Sequence, residues 1–439
     1  MSERAAALVI GASVGGLAAA SYLARGGLHT LLLEAKAAPR EPDGPLIALD
    51  PRIVAELRLP SLGLSFAARD LPMAVAGDTP LLLGRELPAS SAMLARFSDA
   101  DAVSWPSWRR LLTAEARRLR RWWWTAPEAG TPDAAWSAGA RHSFRHLCFS
   151  GADAYLGARF ETPSLLAALL WDAGAGGFAV SEPGSVLALV WRAAQEMGGL
   201  QDAAAIARPG SLTGSLIRAL GMAQLRSDTR VTRILTKSGG VTGVALADGS
   251  EIEADHVVST LSRAKTLQLA GLPYAVPSIG EARILLRLAQ GFAVPDTPTA
   301  RHILAARPEV HADAHEAARG GRIAAELPME WVMLAPDLIA VTARPVPGVL
   351  SPEQRLRLAA KIVQALSPAM PGLAQAMTGV EIRLRRQRTR LADLLAPPPS
   401  RLVTPIKGLL LAGDDAEPLP AVSGRAGRLA ARRLLRPGY

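Results

Sequence analysis

The chain has 439 residues, 49% hydrophobic and 20% charged, enough for a large core and more than one ordinary domain. Its formal net charge of +10 is spread along the sequence rather than gathered in a tail, and no zinc-finger, RNP or helix-turn-helix signature accompanies it, so no nucleic-acid partner is expected. A single cysteine, Cys148, excludes a disulfide within the chain, and no apolar stretch reaches the ~18 residues of a spanning helix.

In chain order, Ala5–Ile10 is a short aliphatic run ending at Gly11, as a buried parallel strand does. Val14–Arg25 has helical spacing and stops at Gly26-Gly27. Thr30–Leu33 is apolar again and ends on Glu34, completing a βαβ unit. The opening apolar run is too short for a secretion signal, which makes a cytoplasmic location the expectation, with membrane-surface association left open. Lys36–Ala89 is rich in proline and glycine, with a helix-like piece at Pro51–Leu57. Arg109–Trp124 is a basic helix closing on three tryptophans. Its Arg117–Trp124 run reads either as an interfacial helix, with arginines for lipid headgroups, or as an amphipathic helix that packs its tryptophans inside.

Helices are expected at Leu165–Ala173, Val186–Met197 and Leu212–Leu220. Strands are expected at Thr229–Leu235, Gly243–Leu246 and Glu251–Val258, the last two joined by a hairpin at Ala247–Ser250. A second set of strands is expected at Ala282–Leu288, Ile323–Leu327 and Leu338–Thr342, followed by a helix at Gln354–Leu366. Gly408–Ala412 closes the pattern as a strand, with a turn at "GDD" and a helix over Gly424–Leu435. The fold class is therefore α/β, a Rossmann-like domain assembled from distant segments (1–60 with 200–270 and 400–439). An α+β substrate domain (61–199 with 271–399) is inserted into it.

The chemistry rests on Gly11-Ala12-Ser13-Val14-Gly15-Gly16. In a G-x-G-x-x-G turn the first glycine makes the bend, the second admits the diphosphate and the third lets helix and strand approach. Free amides at the start of the helix then face the anion. Ser13 stands at the second position, where its hydroxyl can donate to a phosphate oxygen, and Glu34 stands where an acid takes ribose hydroxyls. His142 with His146, and His311 with His315, are each four apart, but neither pair has a third ligand nearby and no metal is expected. Cys148 reads as a small buried hydrophobe. No G-x-S-x-G elbow or Walker lysine is present.

With these motifs, the sequence resembles the phytoene desaturase and phytoene-dehydrogenase-related flavoproteins and their amine-oxidase-like relatives. The resemblance is carried by "VIGASVGGLAAASYLARGG" with Glu34, by "RPGSLTGSLIRAL", by "TRVTRILTKSGGVTGVALADGSEIEADHVVSTLS" and by "GLLLAGDDAEPLPAVSGRAGRLAARRLL". It implies FAD as cofactor, held at Gly11, Ser13, Val14, Gly15, Gly16, Glu34 and Ala35. Val231 would offer its backbone to the adenine, and Ser259–Leu261 would lie near the cofactor. Gly413 and Asp414 would face the pyrophosphate and ribityl, the helix from Gly424 would add its N-terminus, and Val422 would also bind the cofactor. The Lys36–Pro51 stretch is shortened, and Leu419-Pro420 stand where the family carries glycines, so narrowing is expected around the flavin ring. The implied activity is hydride removal from a hydrophobic, isoprenoid-like substrate, with no catalytic base named by the sequence. The alternative is a redox-inactive protein of the same fold that serves as a partner subunit or assembly factor; a homo-oligomer is equally compatible.

Overall fold

The structure, a computed structural model, describes residues 3–40, 49–69, 71–76, 80–125, 132, 136–197, 205–275, 277–292, 299–305, 307–385, 389–419 and 422–436. Half of the Lys36–Pro51 stretch (41–48) and Pro420 lie outside the described residues.

Two seven-stranded sheets organise the chain. In the first, β1 (Glu3–Ile10) lies between β2 (Thr30–Leu33) and Glu251–Ser259, all parallel, with Gln224–Arg226 beyond β2. Leu409–Leu411 joins the far end of Glu251–Ser259 in parallel, and the hairpin strands Gly240–Leu246 and Val231–Lys237 continue antiparallel from its near end. This arrangement follows from the residues. Ala7 and Val9 pack on one face beneath α1 (Val14–Arg25), while Leu8 and Ile10 pack on the other, so the strand reads as continuously apolar instead of alternating. The chain turns at Gly11, whose φ of +89° favours glycine, and leaves α1 through Gly27 at φ +86°.

The second sheet runs Met377–Arg385, Ile279–Leu288, Leu338–Pro347, Met329–Ala335, Arg301–Leu304, Met73–Val75 and Leu81–Leu83. Its pairs are antiparallel except that between Arg301–Leu304 and Met73–Val75. One face is lined by Ala282, Ile284 and Leu286 and covered by helix Pro352–Leu366. Near the other end lies a helical layer built from Asp99–Thr125, Ala138–Phe149, Pro163–Ala173 and Ser185–Met197. Trp122 and Trp123 are buried there against Trp191, and Cys148 is buried in the same core. No helix among the described residues is long and apolar enough to cross a membrane.

One expected strand is absent. Ile323–Leu327 is irregular, between helix Glu309–Arg319 and strand Met329–Ala335. Gly320-Gly321 and Pro328 bracket the run, and Ala324 and Leu327 are buried as plugs against the second sheet rather than as members of it. A short apolar run does not distinguish these outcomes by periodicity.

Candidate functional site

A crevice of about 300 Å³ opens over the carboxyl ends of β1 and of the Glu251–Ser259 and Leu409–Leu411 strands, the edge at which open α/β sheets take ligands. That volume lies at the lower end of the range for small-molecule sites. Gly11, Ser13, Val14, Gly15, Glu34, Gly413, Asp414 and Val422 line it, with Thr260 and Leu261. Gly16 is buried beneath the turn, where a Cβ would stand 2.1 Å from the Gly11 carbonyl oxygen. Ala35 is exposed beside Glu34 and does not line the crevice. Val231 opens its strand, paired with Leu246; the segment before it is tied to the Glu34 end, with Thr229 N donating to Glu34 O at 2.8 Å.

The turn is braced from within. Ala12 N donates to Glu34 Oε2 at 2.8 Å, and the Thr260 hydroxyl donates to the carbonyls of Ile10 and Gly11 at 3.0 and 3.1 Å. Glu34 thus orders the glycine turn while one of its faces remains on the crevice. Ser13 caps α1, its Oγ accepting from Gly16 N at a long 3.4 Å. As in any α-helix, the amides of Val14 and Gly15 have no acceptor within the helix, and both residues line the crevice. Amides and the positive end of the helix dipole therefore meet there, the arrangement a diphosphate requires. The glycines leave no space for larger residues: a Cβ at Gly15 would lie 2.0 Å from the Ala412 carbonyl oxygen, and one at Gly413 would lie 2.3 Å from that of Thr260. The residues present fit the adenine-dinucleotide half of FAD.

Leu419 does not narrow the crevice. Its side chain is buried in the helical core beside Gly176, and its carbonyl accepts from Gln195 Nε2 at 2.7 Å. On the C-terminal wall, Glu417 accepts from the Ser423 hydroxyl at 2.6 Å and from Ala426 N at 3.2 Å. Burial nevertheless raises its pKa above the usual carboxylate value. Arg425, behind this wall and beside Trp123, is pushed down to about 9 by burial.

Sequence reasoning passed over Lys36, Arg40, Arg283 and Arg383, which also line the crevice, Lys36 next to the turn-bracing Glu34, to whose Oε1 its backbone N donates at 3.2 Å. Arg283 and Arg383 come from the second sheet, where polar residues alternate with apolar ones, a period-two signal present in "EIRLRR". Burial lowers the Lys36 pKa, helped by the positive charges of Arg40 and Arg383. Among the described residues no three His, Cys, Asp or Glu side chains converge as a metal site. His311 is buried, with Nε2 2.8 Å from the Ala167 carbonyl oxygen, and is pushed down to about 4 by burial.

Replacing Ser13 with glycine removes a Cβ from the diphosphate approach and a weak cap. The expected outcome is tighter FAD binding by fluorescence titration, with helix stability lowered by only a few tenths of a kcal/mol. Unchanged affinity would show that this position does not limit the approach.

Residues 69–273 match the model of the family "Flavin containing amine oxidoreductase". A search of curated proteins by sequence found no match. Among solved structures, the chain is similar to wild-type putrescine oxidase bound to putrescine: TM-score 0.61, 14% identity, covering 99% of this chain and 100% of that one. It is also similar to cyclohexylamine oxidase from Brevibacterium oxydans, with TM-score 0.55, 16% identity and 98% of both chains covered. A third similar structure is a geranylgeranyl bacteriochlorophyll reductase-like protein from Thermoplasma acidophilum, with TM-score 0.52, 13% identity, and 99% and 79% covered. At these identities the structural likenesses establish the fold.

Proposed function

We propose that the chain is an FAD-dependent oxidoreductase that removes hydride from a hydrophobic substrate, the activity implied by its resemblance to phytoene-desaturase-like flavoproteins. The observation that carries this reading is the crevice itself, shared between the glycine turn on one side and the second sheet on the other. We assign the first sheet and its helices (1–60, 200–270, 400–439) to the cofactor, and the second sheet with its helical layer (61–199, 271–399) to the substrate. FAD, when bound, accepts hydride and supplies the redox chemistry.

The chain's own part is to hold and orient. The amides of Val14 and Gly15 and the Ser13 hydroxyl would take the diphosphate, and Glu34 the ribose, with Gly413 and Asp414 along the chain leading to the ring. Leu261, Ala412, Val422 and Ala426 add apolar surface to the crevice wall. Amine oxidation, suggested by two of the similar structures, is the competing reading: four basic residues (Lys36, Arg40, Arg283, Arg383) against three acidic ones (Glu34, Asp414, Glu417) line the crevice, a balance that opposes an ammonium substrate.

The test is anaerobic mixing of the flavin-loaded protein with a long-chain isoprenoid and, separately, with a long-chain alkylamine. Bleaching of the visible flavin band by the isoprenoid is expected. Bleaching by the amine alone would overturn the reading.

A further inference from the structure

Arg283 and Arg383 occupy an unusual position. They lie directly opposite each other in the antiparallel ladder between Ile279–Leu288 and Met377–Arg385. Like charges so placed are a few ångströms apart at Cβ and destabilise the pair of strands. Both side chains are shielded, 11% and 25% exposed, and both line the crevice. Each is offset by a carboxylate on its own strand, and the pair still sets two fixed guanidinium forks side by side on one wall of a sheltered cleft.

The two guanidinium groups are also held in place. Arg283 Nε donates to Glu281 at 2.8 Å and Arg383 Nε donates to Glu381 at 3.0 Å, each partner two residues back on the same strand. Glu281 is gripped from behind by Arg344, whose guanidinium lies over the Trp171 ring and donates to the Trp171 carbonyl at 2.8 Å. Trp171 Nε1 in turn donates to the buried Glu330. The crevice carboxylates are engaged elsewhere: Glu34 by the Ala12 amide, Glu417 by Ser423 and Ala426, Asp414 by Arg385.

We propose that Arg283 and Arg383 together form an oxyanion-binding subsite that takes a carboxylate on the substrate, so that the substrate is an amphipathic carboxylate with an apolar body. The FAD diphosphate is a second oxyanion of the same chemistry. The amides at the start of α1 are assigned to it, and because the arginines line the same crevice, the FAD affinity of the arginine variants is what separates the two oxyanions. Planar guanidinium forks suit carboxylates in two-point contact. This inference rests on the reading that FAD lies in the crevice.

The experiment uses flavin-loaded protein titrated with octanoate and with its neutral analogue octanamide, read as perturbation of the flavin absorbance spectrum. Octanoate is expected to saturate and octanamide to bind at least tenfold more weakly. Arg283→Met and Arg383→Met should each weaken octanoate tenfold or more, with FAD affinity changed less than threefold. Arg383→Lys, which keeps the charge but loses the fork, serves where a methionine variant does not fold, and it should weaken octanoate by a similar factor. Equal binding of octanoate and octanamide, or no binding of either, overturns the subsite and leaves the flavin assignment standing. Loss of FAD affinity in the arginine variants also overturns it, by assigning the pair to the cofactor. A protein that takes up no FAD overturns both readings.

Discussion

Arg301→Met is expected to destabilise the protein by about 3–5 kcal/mol, the cost of removing one partner from a buried charge cluster. Arg301 donates to Asp172 at 2.6 Å and to Glu330 at 2.6 Å, and all three residues are buried. It joins the helical layer, through Asp172, to the second sheet, through Glu330. Removing the guanidinium leaves two buried carboxylates with Arg192, 3.5 Å from Asp172, as the remaining near counter-charge. Methionine fills much of the volume, so the loss is electrostatic more than steric. Since whole domains are stable by only ~5–15 kcal/mol, such a deficit is visible as a large fall in the urea midpoint.

The pH dependence gives the sign. Although burial opposes it, the charge of Arg301, with that of Arg192, holds Asp172 down at about 2, against an ordinary 3.8. A carboxylate whose folded pKa is depressed contributes stability that is present above its unfolded pKa and lost as pH falls through the folded value. In the variant the lowering by Arg301 is lost while burial still opposes ionisation, so part of this carboxylate's stabilising contribution is already gone at neutral pH and less is left to lose on acidification. The gap between the two proteins should therefore narrow as pH drops below about 4. A constant gap between pH 7 and pH 3 would show that Arg301 acts through packing and not through charge.

Gly15→Ala is the second large effect. The new Cβ would sit 2.0 Å from the Ala412 carbonyl oxygen, a backbone atom at the end of a buried strand, so a side-chain rotation does not relieve it. The opposite helix closes the other escape, since Gly427 is itself so close that a Cβ there would lie 1.9 Å from the Gly15 carbonyl oxygen. Opening either contact moves the start of α1 away from Gly413 and spreads the amides that face the crevice. Overpacking of this kind costs about 1–3 kcal/mol or more. An equal loss of cofactor binding energy corresponds to roughly a tenfold or greater rise in the dissociation constant. Thermal unfolding and FAD titration of the same preparation check both. Unaltered FAD affinity in a destabilised variant would detach the glycine contact from the cofactor.

The β1–α1–β2 unit was legible because its signals are local: an aliphatic run, a glycine turn, a helical period and a closing acid fall within residues 5–34. Helix Val14–Arg25 and strand Thr30–Leu33 match the expected spans residue for residue. The α/β class followed from the recurrence of strand, turn and helix near the C-terminus. Ile323–Leu327 misled because its burial comes from plugging a sheet, which leaves the same composition as a strand. Strand Met377–Arg385 was missed although Val380, Ile382 and Leu384 alternate with Glu381, Arg383 and Arg385, because its apolar face is thin. The Arg283–Arg383 pairing was beyond reach in principle, since it depends on the register between strands about a hundred residues apart. Leu419 was legible as a bulky residue but not in its direction, which the helical core sets.

The central claim is that the crevice above the Gly11–Gly16 turn holds FAD, and the visible spectrum of the purified protein, before and after incubation with FAD and desalting, tests it most directly. Oxidised-flavin bands at one flavin per chain are expected, lost in step with the affinity change in Gly15→Ala. A protein that stays colourless after FAD has been offered and removed would contradict it.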